Sequence, residues 1–457
     1  MTNPPTANLP LASPRDVDLV IGGGTVLPMG GGVAIVDGAV AIDGAEIVAV
    51  GRAVDLASWH GRRRIDAGGG VIMPGFVNPH THIGSNMLLR GLDEDVALFE
   101  WLASMWRLKR NFDHETLYWA NLVGLIEMAR SGITCFNEHF DAYAVEPQLE
   151  ALNVVPLGAT LAYGFADHGI YESITDWSWR TIASFGDIVA AHDGARDGRV
   201  RLALAPHATY SCSEKMFRAV RDAADDVKVP IHVHLAEGKQ EVAYVAEHYG
   251  TTPVQWLDSL GFLGPDVTCA HCTQLDARDI EILAERGARI ATCPVCNAKL
   301  CSGTLPMRQV LEAGITIGLA TDGPASHNTL DMFQEMKFAG IIHKQVAEDP
   351  RFLPTGQLLE LATTGAAAAM QRPELGRLAP GHPADVIVVD LDGAHVQPVY
   401  DVTAALVYSC RADDVRVTVV GGQVLYENGV VAGVDEAEAV ATFRRLARQL
   451  RDRSIST

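Results

Sequence analysis

Missing from this chain of 457 residues is any apolar run long enough to cross a bilayer. The opening stretch, MTNPPTANLPLASPRD, lacks the charged start and apolar core of a secretory signal. It is rich in proline and predicts a mobile tail over residues 1–16. Positive charge is short as well. Lys and Arg total 36 against 56 Asp and Glu, a net charge of −20. Such a surface repels nucleic-acid phosphates and anionic lipid. The expected setting is therefore the cytoplasm, with neither nucleic acid nor membrane as partner. Eight cysteines in a chain of this length do not suggest a disulfide framework. Cys293 and Cys296 form one CxxC, and a four-cysteine zinc site would need a second pair. Cys269 and Cys272 are the nearest candidates, but His271 lies between them and has another use, given below.

What is present is ordinary globular material. The chain is 48% hydrophobic and 20% charged, and is long enough for one large domain and a smaller one. Residues 17–72 and 376–435 are rich in Val, Ile and Gly, in short alternating runs such as GVAIVDGAVAIDGAEIVAVG and VRVTVVGGQVLYENGVV. They predict short antiparallel strands with glycine turns, forming one β-sandwich domain from both chain ends. Across residues 73–375 short apolar strands alternate with longer helical patterns. RVRLALAPHATY precedes SEKMFRAVRDAADD, and VTCAHCTQL precedes DARDIEILAERG. Repeated βα units imply a parallel sheet covered by helices, here a (β/α)8 TIM-type barrel whose active site lies at the C-terminal strand ends. Residues 436–457 predict a closing helix.

His80-Thr81-His82 ends the run VIMPGFVNPHTH. Side chains at i and i+2 of a strand point the same way, so two imidazoles are presented together. A lone HxH is more often a pair of surface or core histidines. Other strand ends change the weighing. One gives His234 followed by Glu237, the next gives His271, and the last, ITIGLATDG, ends in Asp322. Three histidines and an aspartate make a ligand set for zinc or ferrous iron with a position left for water. His234 is preferred over His232, which sits two residues deeper in the same strand. A metal lowers the pKa of bound water towards about 7 and supplies hydroxide. Glu237 is placed to shuttle the water proton, His271 to orient the water, and Asp322 to act as ligand and proton acceptor. The plain alternatives are a solvated helix acid for Glu237 and a satisfied core histidine for His271.

The strings PGFVNPHTH, LLRGLDEDVALFEWL, MARSGITCFNE, APHATYSCS, HLAEGKQEV and LATDGPASHNTLDMFQEMK together resemble the amidohydrolase superfamily. Within it they are similar to the S-adenosylhomocysteine/methylthioadenosine deaminase and s-triazine hydrolase group, over nearly the whole chain. The resemblance implies His80, His82, His234 and Asp322 as ligands of one divalent metal, zinc first, with iron or manganese as alternatives. It implies Glu237 and His271 as catalytic, Glu100 and His207 as substrate contacts, and a homodimer or homotetramer. It makes Cys293 and Cys296 replacements for Asn and Ser in the family's N-P-x-S-N string, as pocket-wall or packing residues, with Asn297 matching. The expected activity is hydrolytic deamination of an aminated N-heterocycle of purine, adenine nucleoside, pterin or triazine type. The alternatives are displacement of chloride, alkylamine or methylthio groups from a triazine-like ring, and cyclic amide hydrolysis. One departure bears on substrate. Adenosylhomocysteine deaminases carry arginines after the third barrel strand, and VVPLGATLAYGFADHGIYESITDWSW has none. Tyr163, Tyr171, Trp177 and Trp179 are offered instead for stacking on a flat ring, or for lid packing.

Overall fold

A computed structural model of the chain describes residues 15–141 and 145–455. Residues 1–14 of the expected tail lie outside the described residues. Arg15 and Asp16 do not belong to a tail; they begin the strand Arg15–Val26. No described helix is long and apolar enough to cross a membrane.

Two sheets organise the chain. The first joins nine strands from both chain ends in one branched path. Its central strand, Arg15–Val26, pairs antiparallel with Ile35–Asp43 and parallel with Trp59–Asp66 and Val71–Pro74. Val386–Val389 then pairs antiparallel with Val71–Pro74 and links the C-terminal strands to the N-terminal ones. The period of two explains the packing. Ile21, Val40 and Ile42 enter one core with Ile72, Val386, Val388 and Val417 from the other chain end. Val20, Ala39 and Ala41 face a second, smaller core with Leu56 and Trp59. The chain-end strands thus form one sheet whose alternating residues feed two separate apolar clusters.

The second sheet is the barrel. Its eight parallel strands run Phe76–Thr81, Ile133–Asp141, Gly158–Phe165, Val200–Pro206, Ile231–Leu235, Val267–His271, Arg289–Thr292 and Ile317–Leu319. Polar bonds tie the last strand end to the first. Asn78 accepts from the Thr321 amide at 3.1 Å and donates to its hydroxyl at 2.7 Å, and the Asp322 amide donates to the His80 carbonyl at 3.0 Å. Helices between the strands start where the chain carries caps. Asp113 accepts from the Thr116 amide, Ser213 from Met216, and Asp276 with Asp279 forms a capping box. Gly250 and Gly287 stop two of these helices with φ near 70°. At Gly318 the last strand touches the helix Thr364–Ala369 so closely that a Cβ would lie 2.6 Å from Ala366 Cα. The C-terminal helix is Glu436–Ile455.

Candidate metal centre and active site

The site is built on the C-terminal ends of the barrel strands. His80 lies in the first strand and His82 one residue past it. His234 lies in the fifth, His271 ends the sixth, and Asp322 follows the eighth by three residues. Two of these backbones are held in the left-handed region, His271 at φ 70° and Asp322 at φ 60°. Neither residue is glycine, so each conformation costs about 1–3 kcal/mol and persists because its surroundings dictate it. Gly323 follows Asp322 where a Cβ would meet Asn86 Nδ2 at 2.3 Å.

Each histidine is oriented from behind. His82 Nδ1 donates to the His139 carbonyl at 2.6 Å, and His234 Nδ1 to the His207 carbonyl at 2.8 Å. That arrangement fixes the tautomer and leaves the Nε2 lone pairs pointing inward. The two Nε2 atoms face each other at 3.2 Å. His80 Nδ1 is bonded to His232 Nε2 at 2.9 Å. His80 Nε2 is buried and makes no ordinary hydrogen bond; it looks across 3.4 Å to Asp322 Oδ1, which is 3.5 Å from His82 Nε2. His80 is shared by two buried clusters whose ligand atoms lie within 4.8 Å of one another, one with His82 and His234 and one with His271 and Asp322. Such nitrogen and carboxylate donors fit a divalent metal ion.

The electrostatics agree with that use. Burial drives His80 and His234 towards the neutral form that binds metal. Burial alone would raise the Asp322 carboxyl, but the His80, His82 and His271 imidazoles outweigh it and hold the acid well below its usual range. Glu237 is pushed up, chiefly by burial, with Asp322 adding and His271 opposing. Burial would lower His271, but the Glu237 and Asp322 charges and the bond to Asn297 raise it instead. His271 Nδ1 donates to Asn297 Oδ1 at 2.9 Å, so its Nε2 is the free face.

A narrow cleft with a cavity of about 30 Å³, room for roughly one water, opens on these groups. His82, His207, His234, Glu237, His271 and Asp322 line its polar side, and Leu98, Trp101, Leu102 and Leu300 its apolar wall. His207 is held by Ser211 Oγ at 2.8 Å and reaches the Tyr171 hydroxyl at 3.4 Å.

Glu100 is exposed and is not among the residues lining the cleft, although Leu98 and Trp101 beside it are. The helix Leu98–Lys109 turns Leu98, Trp101, Leu102, Met105 and Lys109 inward, and Glu100 falls off that stripe. None of Tyr163, Tyr171, Trp177 and Trp179 lines the pocket either. Tyr163 packs on Phe140 and Phe185, Trp177 on Phe165, and Trp179 lies under Lys215. The Trp and Tyr rings that face the cleft are Trp101 and Tyr210. Cys296 is more than packing, because its thiol donates to Asp322 Oδ2 at 2.8 Å. No cysteine belongs to a metal-holding group among the described residues.

Sequence reasoning passed over two residues. Glu241 is buried, accepts from the Glu237 amide at 2.8 Å and from Thr209 Oγ1 at 2.6 Å, and is pushed up to about 7, mainly by burial. Its position four residues after Glu237, in the first turn of the helix Lys239–Tyr249, was the available signal. His139 is buried with its ring 4.5 Å from that of His234, and burial drives it neutral.

The Amidohydrolase family model matches residues 71–425. The chain belongs to the amidohydrolase family. It is 36% identical over 439 residues to a 5-methylthioadenosine/S-adenosylhomocysteine deaminase of Pelotomaculum thermopropionicum, covering 95% of this chain and 99% of that one. It is 37% identical over 416 residues to a 5′-deoxyadenosine deaminase of Methanosarcina barkeri, covering 91% and 94%. Among solved structures, an adenosine deaminase from Xanthomonas campestris with bound zinc superposes with a TM-score of 0.89. It is 31% identical, with 97% of this chain and 100% of that one covered. Atrazine chlorohydrolase from Arthrobacter aurescens, complexed with zinc, gives 0.85 at 27% identity, over 94% and 100%. This amidohydrolase is thus a hydrolytic enzyme of the C–N bond class, built on a TIM-type barrel.

Proposed function

We propose that the chain is a zinc-dependent aminohydrolase that deaminates an adenine-type nucleoside or a related aminated heterocycle. The observation that carries the reading is the convergence of His80, His82 and His234 nitrogens with Asp322 Oδ1 beside a raised, buried Glu237. The deaminase relatives and the zinc-bound adenosine deaminase support it.

His80, His82, His234 and Asp322 would hold the ion. When bound, it lowers the pKa of a coordinated water towards about 7. The chain's own groups do the proton work. Glu237, its carboxyl raised by burial, is suited to take a proton from the attacking water and return it to a ring nitrogen. His271, fixed by Asn297, presents Nε2 to orient the water. The second proton passes by way of Asp322 to the departing amine. His207 lies on the pocket wall where a substrate hydroxyl or ring edge can bond it. The apolar wall of Leu98, Trp101 and Leu102 shields the ring and excludes competing water.

The structural likeness to atrazine chlorohydrolase favours one second reading, displacement of a ring substituent other than ammonia. A panel of adenosine, 5′-deoxyadenosine, 5′-methylthioadenosine, aminopterins and amino- or chloro-triazines tests both. Ammonia release from a nucleoside supports the first, and chloride or alkylamine release the second. Release of neither by zinc-loaded protein refutes both readings.

A further inference from the structure

Asp322 has two oxygens with different surroundings. Oδ1 is turned towards His80 and His82 and accepts from the Gly323 amide at 2.7 Å. Oδ2 accepts from Ser326 Oγ at 2.8 Å and from Cys296 Sγ at 2.8 Å. An ionised carboxylate can only accept, so the sulfur carries the proton of that bond. Both partners are buried, Cys296 at 0% exposed and Asp322 at 6%, so the contact is shielded from water. Hydrogen bonds to a charged group in such surroundings are the stronger kind. Cys296 is delivered by the short helix Pro294–Lys299, directly after the seventh barrel strand. The next residue on that helix, Asn297, is the one that fixes His271. One turn of chain therefore grips two neighbouring groups of the centre.

We propose that Cys296 is a positioning residue: its thiol holds the outer oxygen of Asp322, so that the inner oxygen stays turned towards the metal. The proposal rests on the metal reading above. Partners behind a metal ligand are typically worth about 10–100-fold in metal affinity or activity. The sulfur is not itself a ligand, because it lies on the oxygen that faces away from His80 and His82. A serine could donate the same hydrogen bond; a valine would fill the space and donate nothing.

The test uses the full-length protein loaded with zinc, and separately with cobalt. Cys296→Val is expected to lose zinc to a chelator about 10–100-fold faster than the unsubstituted protein. Cys296→Ser is expected to retain zinc close to the unsubstituted level. Cys296→Ala guards against a valine that does not fit, and is expected to behave as valine does. Thermal melts of the metal-free forms check that all three variants fold. The cobalt form should lack a sulfur-to-cobalt charge-transfer band. Retention unchanged in both the valine and alanine variants overturns the proposal, and so does a serine variant as leaky as valine. A sulfur-to-cobalt band overturns it in favour of direct ligation. If the unsubstituted protein binds neither metal, the metal reading fails and this inference falls with it; if it binds and the variants are indifferent, only the inference fails.

Discussion

The rim of the barrel and the sheet made from the chain ends are built by opposite rules. The sheet buries Ile21, Val40, Ile42, Val386 and Val388 completely, on regular strands, with charged pairs such as Arg62–Asp18 left at the surface. The rim buries His80, His234, His271, Glu237 and Asp322, and holds two of them at positive φ. Burying polar groups costs stability unless each is bonded. The rim meets that demand through carbonyls, Asn297, Ser326 and Cys296, and leaves a few atoms directed at a common point. The comparison teaches that the chain-end sheet is organised for apolar packing, while the barrel's strand ends are organised for chemistry.

The sharpest way to break that division is at Asp322. Asp322→Asn removes the anionic oxygen that faces His80 and His82, and turnover should fall to background with metal content near zero. Metal analysis alongside rate measurement checks it. Retained zinc and rate would show that the rim does not depend on this charge. Glu237→Gln should keep the metal and lose about 100–10,000-fold in rate, the span that proton transfer contributes. Metal-loaded Glu237→Gln turning over normally would remove Glu237 from the mechanism.

The other side of the comparison is tested in the sheet. Ile42 is fully buried, so Ile42→Ala should cost about 2–5 kcal/mol in unfolding free energy. Zinc retention by the folded fraction should be unchanged. A variant that lost metal in proportion to stability would show that the two regions are not separate. A smaller effect concerns pH. His343, on the helix Met332–Val346, is pushed down by burial from 6.5 to about 4. It stays neutral in the fold while the unfolded chain takes up a proton below 6.5. Its contribution is therefore complete above pH 6.5, falls as pH drops, and stops falling near pH 4 where the folded form also protonates. Between about pH 7 and 5 the loss should be roughly 2 kcal/mol. Urea melts of His343→Gln should show that much less acid sensitivity than the unsubstituted chain; equal sensitivity would locate the effect elsewhere.

Local patterns carried much of this structure. The alternation of GAVAID and the βα texture of the middle segment announce a chain-end sheet and a parallel barrel, because strand and helix periods differ. His80-Thr81-His82 was legible for the same reason, since i and i+2 share a face. Glu100 was read from a matched string, and the structure adds that it falls off the buried stripe through Leu98, Trp101, Leu102 and Met105. For Tyr163, Tyr171, Trp177 and Trp179 the sequence left stacking and lid packing open, because nothing local says which of several loops closes over the strand ends.

The sequence by itself determined the period of each element, the identities of the donor groups and their sites at strand ends, because these are properties of adjacent residues. Only the tertiary structure decided that Cys296 meets Asp322, that Asn297 meets His271, that Glu241 supports Glu237, and that Trp101 rather than Tyr171 faces the cleft. Those contacts join separate segments, and a parallel barrel fixes them through strand register and closure.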